Sequence, residues 1–182
     1  MSDYRRSHAA GGTYFFTLVT FRRRTILCNE PIRRALRTAI YEVRQSLPFE
    51  VNAWVMLPDH LHTIWTLPEN DANFGKRWGL IKRSVSRSCP DYTIPFEELS
   101  LSNVKRNEAG IWQRRFWEHQ IQNEDDFSKH MDYIHFNPVK HGYVKRAVDW
   151  PYSTFHRHMD SGVYPADWGS NDDDGKFGEQ LM

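Results

Sequence analysis

Two strand-like runs, FEVNAWVML at 49–57 and LHTIWTL at 61–67, are joined by little more than a Pro58-Asp59 turn. β-Branched and aromatic residues dominate both, and the Pro-Asp step is a turn signal. So short a connection leaves no room for a crossover, so the strands lie side by side and antiparallel. The rest of the chain must be arranged around that hairpin. Before it, TYFFTLVTF at 13–21 reads as a further strand running into Arg22, Arg23 and Arg24. Between the two, Asn29, Glu30 and Pro31 mark a helix start, and Ile32, Leu36, Ile40, Val43 and Leu47 recur at helical spacing until Pro48. After the hairpin, 73–88 reads as a strongly basic helix, 91–110 as a polar connecting loop and 111–121 (IWQRRFWEHQI) as a strand. A helix then runs from Glu124 to about Asn137, capped by Asn123, with Pro138 and Gly142 beyond its end; a short helix follows at 154–159. The order β-α-β-β-α-β predicts an α+β, ferredoxin-like antiparallel sheet with helices packed on one face and an added C-terminal helix.

A chain of 182 residues suits one domain, expected over 1–160, followed by an acidic, flexible tail at 161–182. The tail sets one lysine against five acids, a net charge of −4, which leaves the preceding part at +5. Folded back over a basic groove, such a tail would compete with a polyanion; otherwise it only solubilises. The cations of the main part cluster at Arg22, Arg23, Arg24, at Lys76, Arg77, Lys82, Arg83, Arg87, and at Arg114, Arg115. With seven Trp and eleven Phe, those clusters fit a surface that meets phosphate and stacks on bases, or else solvated helix faces. Neither a secretory signal nor a membrane-spanning run is present, and Cys28 and Cys89 have no paired spacing, so a cytoplasmic protein without a thiolate metal site is expected.

Two segments carry chemistry. In Pro58-Asp59-His60-Leu61-His62, residues two apart on a strand project from one face, so His60 and His62 can converge on a single ion while Leu61 anchors the strand. Taken alone, the pair fits a metal site or a hydrogen-bonded structural pair. Without cysteine nearby, Mg²⁺ or Mn²⁺ is the expected ion. In Asp132-Tyr133-Ile134-His135-Phe136-Asn137, Tyr133 and Asn137 stand one helical turn apart. They offer either a nucleophilic phenol beside a neutral metal ligand, or a core tyrosine and a helix-end residue.

Taken in order, several segments resemble one family. They are Trp54…Leu57-Pro-Asp-His60-Leu-His62, Trp112…Phe116-Trp117-Glu118-His119, Asp125-Asp126-Phe127, Tyr133-Ile-His-Phe-Asn137-Pro-Val-Lys-His-Gly142 and Trp150-Pro-Tyr-Ser153. Over residues 13–158 the chain is similar to the single-tyrosine HUH transposases, in particular their REP-associated branch. The resemblance implies that Tyr133 is the nucleophile and that His60, His62 and Asn137 hold a divalent metal, Mg²⁺ or Mn²⁺. It further implies cleavage and rejoining of single-stranded or hairpin REP-type DNA through a 5′-phosphotyrosine, by a bacterial cytoplasmic enzyme, as a monomer in preference to a dimer. Gln122 stands where relatives of this branch often carry arginine, which puts one phosphate contact in question. A non-catalytic hairpin-binding regulator is the alternative.

Overall fold

The computed structural model describes residues 9–106 and 108–170. Strand β1 spans Thr13–Val19, β2 Glu50–Met56, β3 His60–Thr66 and β4 Trp117–Gln120. They form one sheet in the order β2-β3-β1-β4, each pairing antiparallel. Helices α1 (Glu30–Ser46) and α2 (Phe74–Ser88) complete the βαββαβ unit, and α3 (Leu101–Lys105), α4 (Glu124–Lys140) and α5 (Phe155–Asp160) are added to it. The fold class expected from the order of periodicities is the one found.

Alternation along the strands divides the interior in two. Phe16 and Leu18 of β1 and Leu61 and Trp65 of β3 face α1 and α2, where Leu36 and Val43 meet Trp78, Ile81 and Val85. Trp65 stacks on Trp78 at 3.9 Å and lies 4.0 Å from Phe49 between ring centroids. Phe15, Ala53, Val55 and Ile64 point the other way, against Met131 and Ile134 of α4 and Phe155 of α5. The two helices of the repeating unit therefore share one face, and α4 covers the other.

Four local differences from the sequence reading have physical reasons. The strand expected at 111–121 shortens to β4, because Ile111 and Trp112 are held by a single bridge from Trp112 to Thr20 and by Gln113 N–H donating to Val19. The expected loop at 91–110 contains α3, started by Ser100, whose hydroxyl accepts from the Asn103 amide. Helix α4 continues through Pro138 to Lys140. A proline removes its own donor and its ring crowds the carbonyl one turn back, and burial of Pro138 and Val139 offsets that cost. Two residues past its end stands Gly142, whose φ of +72° suits a residue without Cβ. Finally, packing persists beyond residue 160: Tyr164 donates to Asp132 at 2.7 Å and sits with Trp168 against Phe155. The packed body reaches Ser170, which bridges to Arg146; the Asp172–Asp174 part of the acidic tail lies outside the described residues.

Candidate active site

Because β3 alternates, His60 and His62 both face α4, and Leu61 between them is fully buried on the opposite side. The rings stand 5.0 Å apart at 80°. Each is oriented through its Nδ1. That of His60 lies 2.6 Å from Asp59 Oδ1, and that of His62 lies 2.8 Å from the Thr17 hydroxyl on β1. Fixing Nδ1 leaves Nε2 of each ring as the atom that could ligate a metal, the usual way in which a second partner sets a ligand histidine. Nε2 of His62 is buried and has no hydrogen-bond partner among the described residues. Burial, then the neighbouring His60, His141 and Lys140, push the His62 pKa well down, so the ring is neutral and free to ligate.

Tyr133 comes from α4, its ring 5.1 Å from His62 and 5.9 Å from Phe15. Burial raises its phenol pKa, and the Asn137 amide one turn on opposes that rise. Asn137 itself is fully buried; its amide approaches the Tyr133 phenol without closing a hydrogen bond, and neither its oxygen nor its nitrogen is paired among the described residues. A buried amide without partners costs about 1–3 kcal/mol and calls for a ligand. His60, His62 and Tyr133 line one cavity of about 540 Å³. The chemistry of the set fits a divalent cation: two imidazoles, a carboxamide oxygen and an adjoining phenol.

The cavity also holds residues that motif spacing had not singled out. Lys140 places its ammonium 5.1 Å from the Tyr133 ring centroid, and His141 lies 5.2 Å from His60. Both fall about two helical turns after Tyr133, so helical periodicity carried past Pro138 would have found them. Burial, and then His60, lower the pKa of His141. His130, one turn before Tyr133, lines the same space.

The predicted cationic residues separate by where they stand. Arg23 reaches the cavity wall and pairs with Asp59 at 3.0 Å, so Asp59 links it to His60. Burial works against ionisation of Asp59, but the His60 and Arg23 contacts hold its pKa below the ordinary value. Arg22 and Arg23 occupy successive left-handed positions, with φ of 54° and 51°, an unusual conformation for residues bearing a Cβ. Lys82, Arg83, Arg87 and Arg114, joined by Arg106, border a separate groove of about 600 Å³ beside α2. Lys76 and Arg115 are exposed. Arg77 does not belong with these: it is 1% exposed, pairs with Asp71 at 2.7 Å and donates to the carbonyls of Leu47, Pro48 and Asn73. Its place in a basic run misled because it falls on the inward face of α2. Arg24 also turns inward, donating to the Tyr92 and Gly110 carbonyls. Gln122 is bound locally, its side chain to Gln120 and its amide to Asp126.

No protein-family model matches the chain. It is 46% identical over 182 residues to the REP-associated tyrosine transposase of Escherichia coli K12, covering 100% of this chain and 99% of that one. A Haemophilus influenzae protein named for the same family is 44% identical over 173 residues, 95% of this chain and 96% of its own. Among solved structures, a REP-associated tyrosine transposase bound to a REP hairpin superposes with a TM-score of 0.78 at 45% identity, covering 100% of this chain and 99% of that one.

Proposed function

The chain belongs to the REP-associated tyrosine transposases, and from that premise we propose that it cleaves and rejoins REP-type hairpin DNA through Tyr133. The observation that carries the reading is the meeting, in one cavity, of Tyr133 with a histidine pair, next to a buried Asn137 amide without partners. His60, His62 and Asn137 would hold the ion, Mg²⁺ or Mn²⁺. When bound, it supplies Lewis acidity toward the scissile phosphate.

The Tyr133 oxygen attacks phosphorus, the bond to the 3′-oxygen breaks, and the strand is held as a 5′-phosphotyrosine. The phenolic proton leaves and the departing 3′-oxygen takes one up, so the free end is a 3′-hydroxyl. Attack by a 3′-hydroxyl reverses the sequence and rejoins DNA without an external energy source. Only ~0.1% of an ordinary phenol is ionised at neutral pH, and burial makes Tyr133 weaker still. The Lys140 charge beside the ring works in the useful direction. Asp59 and Thr17 keep the imidazoles in the ligating tautomer. A cavity built within one chain supports action in cis by a monomer. The groove formed by Lys82, Arg83, Arg87, Arg106 and Arg114 is suited to the hairpin backbone. A protein of this kind would work on nucleoid DNA in the cytoplasm.

The test is incubation with Mn²⁺ and single-stranded REP hairpin DNA, followed by denaturing electrophoresis. Wild type should give a denaturation-resistant adduct, and Tyr133→Phe none, with hairpin affinity nearly unchanged. An adduct formed by the Phe variant removes Tyr133 as nucleophile. Wild type that binds the hairpin and forms no adduct is a binding regulator.

A further inference from the structure

Helix α4 presents a second set of ligating groups, one turn ahead of Tyr133. Asp126 and His130 stand one turn apart on it, and His119 reaches them from β4. One ligand atom from each lies within 4.8 Å of the others. His119 Nε2 is 2.9 Å from Asp126 Oδ2, and His130 Nδ1 is 3.0 Å from Asp126 Oδ1. The two imidazoles stack at 4.7 Å and 15°, which turns an edge nitrogen of each toward the same carboxylate.

We propose that His119, Asp126 and His130 form a second divalent-cation site, for Zn²⁺ or Mn²⁺, distinct from His60, His62 and Asn137. Two imidazoles and a carboxylate without a thiolate are the donor set of open, three-ligand sites for borderline cations. The carboxylate is braced as a ligand should be: the Gln122 amide donates to Asp126 Oδ2 at 2.9 Å. His119 is about one-third exposed, leaving an open side for water or a phosphate oxygen. Burial opposes ionisation of Asp126, yet its bonds to His119 and Gln122 hold its pKa down, while burial lowers that of His130. Asp126 and His130 are thus deprotonated at neutral pH. The rival reading is a trio that only hydrogen-bonds to itself, since His130 Nδ1 also lies 2.8 Å from the Asp126 carbonyl, a contact the ion would displace. His130 lines the Tyr133 cavity as well, so an ion here lies near any strand that enters it.

Calorimetric titration of the full chain with Zn²⁺ and with Mn²⁺ separates the possibilities. A His60→Ala/His62→Ala variant should keep one equivalent of ion, and adding His119→Gln, which retains a hydrogen bond to Asp126, should abolish it. The proposal is overturned if the double variant binds no ion or if His119→Gln changes nothing. If only the Tyr133-side site is wrong, wild type takes up one equivalent and the double variant keeps it. A measurement on the unaltered chain guards against misfolding: Zn²⁺ should shift the imidazole ¹⁵N resonances of His119 and His130, and unshifted resonances overturn the site.

Discussion

The two faces of the sheet are made from the same four strands and serve opposite ends. Against α1 and α2, the interior is mainly aromatic and aliphatic; among the described residues its buried cation, Arg77, is saturated by a carboxylate and three carbonyls, and Glu118, in register with Phe16, is a buried carboxylate on the same side. Trp65, Trp78 and Trp112 leave an indole N–H unpaired there among the described residues, a lone donor on each large apolar ring. Against α4, the same alternation buries His60, His62, His130 and His135 together with Asn137. His62, His135 and Asn137 keep unpartnered polar atoms on that side. One face is mostly apolar, and the other buries imidazoles and an amide at the proposed site. Native chains give up stability in this way where chemistry is done.

The largest effect that would test the contrast is on the first face. Trp78→Ala empties the stack on Trp65 and should lower unfolding free energy by about 3–5 kcal/mol in urea titration. Ion stoichiometry should not change in the variant that remains folded. On the second face the sign reverses. Asn137→Leu replaces an unsatisfied amide with an apolar side chain of similar size, so the metal-free chain should gain about 1–3 kcal/mol. The same change should weaken Mn²⁺ binding and adduct formation. A destabilised Leu variant would mean that the amide is satisfied as it stands, and the distinction between the faces would fail.

The faces should also part with pH. Burial holds the pKa values of His62 and His130 below the ordinary 6.5 and takes His135 to about 3. Between the unfolded value near 6.5 and the folded value, the unfolded chain binds more protons. Stability therefore rises with pH through that window and is lost as pH falls from about 6.5 toward 3. Each fully depressed histidine contributes a slope of ~1.4 kcal/mol per pH unit. Urea midpoints between pH 7 and pH 4.5 measure it. His135→Gln should reduce the slope, whereas the α1 and α2 face, which buries no histidine, should contribute none. An unchanged slope in the Gln variant would place the titration elsewhere.

How far the site could be read in advance follows from what local pattern encodes. Strand alternation suffices to put His60 and His62 on one face and Leu61 on the other, and helical spacing to align Tyr133 with Asn137. The pairing of β2 with β3 was legible too, since a Pro58-Asp59 turn permits little else. Burial of a particular cation is not local information: Arg77 and Arg83 sit in one basic run, and only the docking of α2 on α1 decides which points inward. Pro138 concealed Lys140 and His141, because a proline reads as a helix end unless tertiary packing carries the helix past it. The His119, Asp126 and His130 cluster depends on β4 pairing with β1 next to α4, a long-range contact that no spacing reveals.

The smallest predicted effect concerns the groove beside α2, which lies apart from the Tyr133 cavity. Arg87 and Arg114 are exposed on its border, so each can meet backbone phosphate without entering the chemistry. A phosphate contact releases counterion, and losing one should flatten the dependence of log K on log salt by about 0.9 for duplex DNA. Arg87→Ala should therefore weaken hairpin binding in proportion at low salt, scarcely change it at high salt, and leave the rate of adduct formation at saturating DNA unaltered. Arg77→Ala, on the inward side of the same helix, should instead destabilise the fold by removing the partner of Asp71 and three carbonyls. A slope unchanged by Arg87→Ala would make the outer side of α2 a solvated surface, and the hairpin would then have to lie on the α4 side, with binding and cleavage sharing one face.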